Sequence, residues 1–145
     1  MNMDEMYEKG CRLLERNKNH EAAECFKEIL KEREDHCPAI NKLGVACIRE
    51  NRRDEAIACF ERALAIDKDY APSIVNMGSI SKEAGDMEAA VKYYERAMAA
   101  DPDYYLAYYN MAVVMKEKGQ YSEYMKYIKM YRKAYKKLPA LRWRW

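Results

Sequence analysis

The chain contains 145 residues, of which 50% are hydrophobic and 34% are charged, and its formal net charge is +2. This length and composition predict a folded chain about the size of one ordinary domain and exclude wholesale disorder. No uncharged stretch approaches the roughly 18 apolar residues that a membrane span needs. The acidic N-terminal segment MNMDEMYEK is unlike a secretory signal. Five cysteines without a CxxC motif favour reduced thiols, and we therefore expect a cytoplasmic protein.

Small and aromatic residues recur along the chain at a fixed interval of 34 positions. The recurring columns are Gly10, Gly44 and Gly78, then Ala22, Ala56 and Ala90, then Phe26, Phe60 and Tyr94. Four units fit this interval without an insertion: 3–36, 37–70, 71–104 and 105–138. A repeat of this length is typical of an array of supersecondary units that share one core with their neighbours.

Each unit carries two apolar patterns of helical spacing with a helix-ending residue between them. That residue is Asn51, Gly85 or Gly119, all at one repeat position, where a left-handed backbone conformation ends a helix. Asp54 and Ser122 precede the next apolar runs, and we expect them to be N-caps. The pattern therefore predicts eight antiparallel helices, and the recurring glycine and alanine of each unit would let its two helices approach closely. In the fourth unit, tyrosines replace the recurring alanines, which indicates a modified, capping helix pair.

The two middle units carry the residues of a known repeat family. The second unit has Ile40, Leu43, Gly44, Cys47, Ala56, Phe60 and Ala63. The third unit has Ile74, Met77, Gly78, Ser81, Ala90, Tyr94, Ala97 and Pro102. This pattern resembles the tetratricopeptide repeat (TPR) family, which the first and fourth units match more loosely. The resemblance implies an all-α, right-handed superhelical solenoid over 3–138, followed by a basic, aromatic tail at 139–145.

The resemblance also implies a non-enzymatic protein–protein interaction module, which binds a peptide or helix in a concave groove lined by the first helix of each unit. The groove positions carry over to Asn41, Lys42, Val45, Ile48, Arg49, Val75, Asn76, Ser79, Lys82, Leu106, Tyr109, Asn110, Val113 and Lys116. The asparagine amides at 76 and 110 would hold a ligand backbone, the apolar residues would form a floor, and the cations would favour acidic ligands.

One TPR subclass grips the C-terminal acid of a heat-shock chaperone with lysine, arginine and asparagine side chains at set positions. Starting from the first unit, this chain offers Tyr7, Cys11, Lys42, Pro72 and Asn76 at those positions. Starting from the second unit, it offers Asn41, Val45, Asn76, Leu106 and Asn110. Neither register makes the carboxylate clamp, so chaperone binding of this kind is disfavoured.

The C-terminal end of the chain is basic, since residues 105–138 contain eight Lys or Arg against two acids. The candidate residues of a second surface are Lys129, Arg132, Lys133, Lys136, Lys137, Trp143 and Trp145. Such a segment could bind RNA or an anionic surface, or it could be a solvated capping helix. The sequence LRWRW at the end of the chain makes self-association a further hypothesis.

Catalytic and metal-binding patterns are missing from the sequence. The two histidines are His20 and His36, and His36 with Cys37 supplies two ligands where a structural zinc site needs four. There is no Gly-rich phosphate loop and no recognisable nucleophile motif. We therefore predict neither an enzyme nor a metal or cofactor.

Overall fold

The computed structural model describes residues 1–138, which form eight α-helices and no strand. The helices are α1 (Met3–Glu15), α2 (Asn19–Glu32), α3 (Cys37–Arg49), α4 (Arg53–Ile66), α5 (Ala71–Glu83), α6 (Met87–Ala100), α7 (Tyr105–Glu117) and α8 (Tyr121–Lys136). This confirms the predicted all-α helical repeat. None of these helices has both the length and the apolar character that crossing a membrane requires. The predicted roles of Trp143 and Trp145 fall outside the described residues.

A residue with positive φ ends the first helix of every repeat. The angles are 60° at Asn17, 62° at Asn51, 89° at Gly85 and 75° at Gly119. Glycine adopts this conformation without a steric penalty, and asparagine tolerates it better than most residues. The three breakers predicted from the sequence are therefore confirmed, and Asn17 completes the set.

The predicted N-caps are wrong, because Asp54 and Ser122 both lie inside helices. Helix α4 starts at Arg53, and the residue before it makes no side-chain capping hydrogen bond. In the third repeat, Asp86 does cap α6, and its carboxylate accepts a hydrogen bond of 3.0 Å from the Ala89 amide. The second helix of a repeat thus starts two residues after the positive-φ residue, earlier than the apolar pattern indicates. Asp54 instead places its charge in the first turn, where it complements the helix dipole.

The recurring glycine makes room for the recurring aromatic ring within each of the first three repeats. A Cβ atom placed on Gly44 would lie 2.5 Å from Cε1 of Phe60. The corresponding distances are 2.6 Å for Gly10 to Phe26 and 2.7 Å for Gly78 to Tyr94. All three rings are essentially inaccessible to solvent. The sequence prediction of a close helix approach at glycine is correct, and the structure identifies the ring as the group that needs the space.

The described chain divides into two compact units, 1–68 and 69–138, each made of two helical repeats. In the first unit, Ala39 and Ala46 of α3 are fully buried in a cluster with Ala23 and Phe26 of α2. In the second unit, α6 contacts α7, whose Ala107 and Val114 are also fully buried. Stacking of consecutive repeats through small residues therefore holds each unit together. The single four-repeat array over 3–138 stays a prediction.

Candidate functional site

The predicted site residues lie on the first helices of the repeats, and these helices contact each other within each unit. Helix α1 contacts α3 in the first unit, and α5 contacts α7 in the second. We call the surfaces that these pairs present the α1–α3 face and the α5–α7 face, and we describe each separately.

The α1–α3 face contains the five predicted site residues of α3. Asn41 is buried with 2% of its surface exposed, so it offers almost nothing to a ligand, whereas Val45 and Ile48 are half-buried. The exposed guanidinium of Arg49 donates a hydrogen bond to the carbonyl of Leu14, near the end of α1. A helix leaves its last four carbonyls without an intrahelical partner, so Arg49 has a structural role that joins the two repeats.

Lys42 is the cation of the α1–α3 face that is available for a ligand. Its side chain is half-buried, and it forms no ion pair with the residues that the structure describes. Burial lowers the pKa of Lys42, and the neighbouring charge of Arg49 acts in the same direction. A carboxylate brought next to this ammonium group would stabilise its charged form.

The α5 side of the α5–α7 face is less open than the sequence indicates. Val75 is 3% exposed and belongs to the core, while Asn76 is half-buried. The hydroxyl of Ser79 lies 3.1 Å from the hydroxyl of Tyr94, a hydrogen bond within the third repeat. The ammonium of Lys82 lies 3.0 Å from the carboxylate of Glu117 on α7, so an ion pair crosses the face.

The α7 side presents most of the accessible apolar surface. Leu106, Tyr109, Asn110 and Val113 follow one another at the spacing of a single helical face. Tyr109 is 44% exposed, and the other three are half-buried. One N–H of the Asn110 amide donates a 2.8 Å hydrogen bond to the carbonyl of Leu106. An asparagine amide has a second N–H and a carbonyl oxygen, with which it can pair a ligand backbone.

A cluster of four tyrosines flanks this surface, and the sequence analysis missed it. The rings belong to Tyr105 and Tyr109 of α7 and to Tyr131 and Tyr135 of α8, and their paired centroids lie 5.3–6.0 Å apart. Such tilted pairs stabilise one another beyond simple burial. The signal was present as two tyrosine pairs, each with a spacing of four residues, on consecutive helices.

The ammonium group of Lys116 also turns toward α8, where it lies 5.6 Å from the centroid of the Tyr124 ring. This is a cation–π contact. Lys116 therefore adds less positive charge to the α5–α7 face than its repeat position predicts.

The basic residues predicted for a second surface are exposed along α8. Lys137 pairs with Asp103 at 2.9 Å. Lys129, Arg132, Lys133 and Lys136 form no ion pair with any residue between 1 and 138. Uncompensated positive charge thus lies on the C-terminal half of this helix.

His36 and the cysteine side chains have structural positions. His36 caps α3, since its Nδ1 atom accepts a 3.1 Å hydrogen bond from the Ala39 amide. Burial lowers the pKa of His36, and burial raises the pKa of Cys59 to about 11. Within residues 1–138, no three His, Cys, Asp or Glu side chains come together as metal ligands would.

Comparisons with known proteins agree with this geometry. Sequence models described as tetratricopeptide repeat match residues 37–70 and 82–142. No curated protein sequence matches significantly. A crystal structure of MamA has a TM-score of 0.66 at 23% identity, covering 94% of this chain and 80% of that chain. Naa15/Naa10 bound to HypK-THB gives a TM-score of 0.76 at 18% identity, covering 95% of this chain and 21% of that chain. The first TPR of Spaghetti (RPAP3), bound to the HSP90 peptide SRMEEVD, gives 0.65 at 19% identity, covering 81% of this chain and 93% of that chain.

Proposed function

Because the chain belongs to the tetratricopeptide repeat family, we propose that it is a non-enzymatic protein-interaction module that binds a peptide or helical segment of a partner through the first helices of its repeats. The α5–α7 face is the main binding surface in this proposal. The α1–α3 face contributes a separate contact through Lys42.

The observation that carries the proposal is the accessible row Leu106, Tyr109, Asn110 and Val113 on α7. Apolar surface in contact with water is stabilised when a ligand covers it, and a large tyrosine ring contributes much area at a low cost in conformational entropy. Within the tyrosine cluster, the ring of Tyr109 packs against the tilted ring of Tyr131, with 5.3 Å between the ring centroids. This support preorganises the ring for contact with a ligand.

The amides of Asn76 and Asn110 are polar groups of the same surface, at the same position of two consecutive repeats. A bound peptide has backbone N–H and C=O groups that must be satisfied when its side chains are buried. An amide donates and accepts, so it pairs with such a backbone in either direction. The two asparagines would fix the orientation of the ligand, while the apolar row would supply most of the affinity.

The charges of the α5–α7 face favour a ligand with few acidic groups. Lys82 is paired with Glu117, and Lys116 lies against Tyr124. Lys42 is half-buried and forms no ion pair among residues 1–138, so an acid placed beside it would gain the most. We therefore propose a mostly apolar ligand for the α5–α7 face and, on the separate α1–α3 face, an acidic group for Lys42.

The ligand in this proposal differs from the HSP90 peptide SRMEEVD bound by the Spaghetti domain. Two of the positions that a carboxylate clamp would use are Tyr7 and Cys11, and both are buried in the core of the first unit. Neither a phenol nor a thiol there provides a cation for a carboxylate. The five cysteines are all free thiols, which suits a reducing compartment such as the cytoplasm.

A selection from a library of random peptides tests the proposal. Peptides would be selected against the full chain, against Tyr109→Ser with Asn110→Ala, and against Ile66→Ser. The last variant is the control, because Ile66 is 45% exposed on α4, outside the proposed binding surfaces. We expect one shared peptide motif for the wild type and the control, and a loss of affinity of about tenfold or more for the double variant. The same enriched peptides with equal affinity for all three proteins would contradict the proposal.

A further inference from the structure

Helix α8 carries a surface whose counterparts on α2 and α6 hold the next helix. In the first unit, Ala23, Phe26 and Leu30 of α2 pack in one cluster with Ala39, Leu43 and Ala46 of α3. In the second unit, Val91, Tyr94 and Met98 occupy the same repeat positions on α6, which contacts α7. This row of positions is thus where the second helix of a repeat receives the helix that follows it.

The same row on α8 consists of Met125 and Arg132, which are exposed, and Ile128, which is half-buried. Tyr121 extends the row by one turn, and Lys129 and Lys136 flank it; we call these six residues the α8 outer face. Tyr121 is 64% exposed and Met125 is 49% exposed, whereas Ala23, which corresponds to Met125, is 1% exposed. The outer face is apolar in its N-terminal half and basic in its C-terminal half.

The geometry of α2 and α3 fixes the direction of a helix on such a face. The four residues 33–36 join these two helices, and a connection this short makes contacting helices antiparallel. A helix docked in the same way on α8 therefore starts near Arg132 and Lys136 and runs toward Tyr121. Acids in its first turn would meet the basic half of the outer face and would also favour its own dipole. Apolar residues in its later turns would cover Met125 and Tyr121.

A second copy of the chain fits this face poorly. In the antiparallel direction, its α8 would place Lys129, Arg132 and Lys136 against the apolar half of this α8. Its α1 has Glu5, Lys9 and Arg12 at the positions where α3 has Ala39, Leu43 and Ala46. Glu5 would meet the basic half, but Lys9 and Arg12 would lie against the apolar half, where a charge without a partner is costly to bury.

We propose that the α8 outer face docks an amphipathic helix of a partner protein, antiparallel to α8, with acidic residues in its first turn and small or apolar residues in its later turns. This surface is separate from the α5–α7 face. It gives the positive charge of α8 a protein ligand rather than a nucleic acid.

A pair of synthetic peptides of about 18 residues tests this proposal, since shorter helices are marginal in water. The forward peptide has Glu in its first two turns, followed by Ala and Leu at the i, i+4 and i+7 positions of an Ala- and Gln-rich helix. The reversed peptide has the same composition with the acidic turns last. Binding to the full chain would be measured by fluorescence anisotropy at about physiological salt.

We expect the forward peptide to bind with a dissociation constant below about 100 µM and the reversed peptide to bind at least about tenfold more weakly. Met125→Glu and Arg132→Glu should each weaken forward binding by about tenfold. Ile66→Glu is the matched control, because Ile66 is 45% exposed on α4, and it should leave binding unchanged. Circular dichroism would verify that each variant is folded.

Four outcomes would overturn the proposal. Equal affinity for the two peptides would remove the predicted direction, and no binding at about 1 mM would remove the site. Preference for a single-stranded RNA oligonucleotide that is lost in Arg132→Glu would assign the face to nucleic acid. Binding of the forward peptide only to a version ending at Leu138 would assign the face to the C-terminal tail.

Discussion

Substitution of Gly44 by alanine tests the packing rule that joins the two helices of a repeat. The added Cβ atom would lie 2.5 Å from a carbon of the Phe60 ring, whereas ordinary contacts are 3.4–4 Å. The ring must therefore move by about 1 Å, and it is 1% exposed, with core atoms around it. Overpacking of this kind costs about 1–3 kcal/mol, while replacing a mid-helix glycine by alanine contributes about 1 kcal/mol in favour of folding. We expect a net loss of about 0–2 kcal/mol.

The fourth repeat supplies the control for this substitution. There Ala112 stands at the glycine position and is fully buried, and Ile128 stands where the other repeats have an aromatic ring. The double variant Gly44→Ala with Phe60→Ile copies this pair into the second repeat. The reverse change, Ala112→Gly, should destabilise by about 1 kcal/mol, because it removes a good helix former where no ring needs the space.

Urea unfolding followed by circular dichroism measures these free energies. If the ring and the Cβ atom compete for one space, the double variant should be at least about 1 kcal/mol more stable than the sum of the two single losses predicts. Losses that add to within about 0.5 kcal/mol, or a Gly44→Ala variant that is more stable than the wild type, would show that the ring and the Cβ atom do not compete.

Two further predictions concern titratable groups. The pKa of His36 is lowered below its ordinary 6.5 by burial and by Arg33, so the folded state favours the neutral ring that caps α3. This stabilisation is complete above pH 6.5 and decreases as the pH falls below that value. His36→Asn keeps a capping side chain but does not titrate in this range, so its free energy of unfolding should decrease less than that of the wild type between pH 7 and about 5.5. Burial raises the pKa of Cys59 to about 11, so alkylation of Cys59 by iodoacetamide should accelerate about tenfold per pH unit from pH 8 to 10. A His36→Asn profile identical to that of the wild type, or a Cys59 rate that levels off near pH 9, would contradict the corresponding prediction.

Local and repeated features of the fold could be predicted from the sequence. They include the interval of 34 residues, the positive-φ residues Asn51 and Gly85, and the close approach of two helices at the recurring glycine. Each of these features depends on backbone conformation or on contacts within one repeat. The N-caps failed because Asp54 and Ser122 were located from the apolar pattern, and a helix starts before its first buried residue.

Whether a side chain of the candidate site is buried, paired or accessible depends on tertiary contacts, which its position in the repeat does not reveal. Lys82 and Lys116 occupy ligand-facing positions, yet their charges are directed to Glu117 and to the Tyr124 ring. Asn41 and Val75 also occupy such positions and are buried. The tyrosine cluster beside Tyr109 has no counterpart in the middle repeats, so the periodicity could not predict it.

An NMR titration of the isotope-labelled full chain with one selected peptide would locate the bound ligand on the α5–α7 face. We expect the largest amide and side-chain shift changes at Asn76, Leu106, Tyr109, Asn110 and Val113, and we expect Asn110→Ala to reduce them at equal peptide concentration. Shift changes confined to α6 or α8, and unaffected by Asn110→Ala, would show that the peptide does not bind to this face.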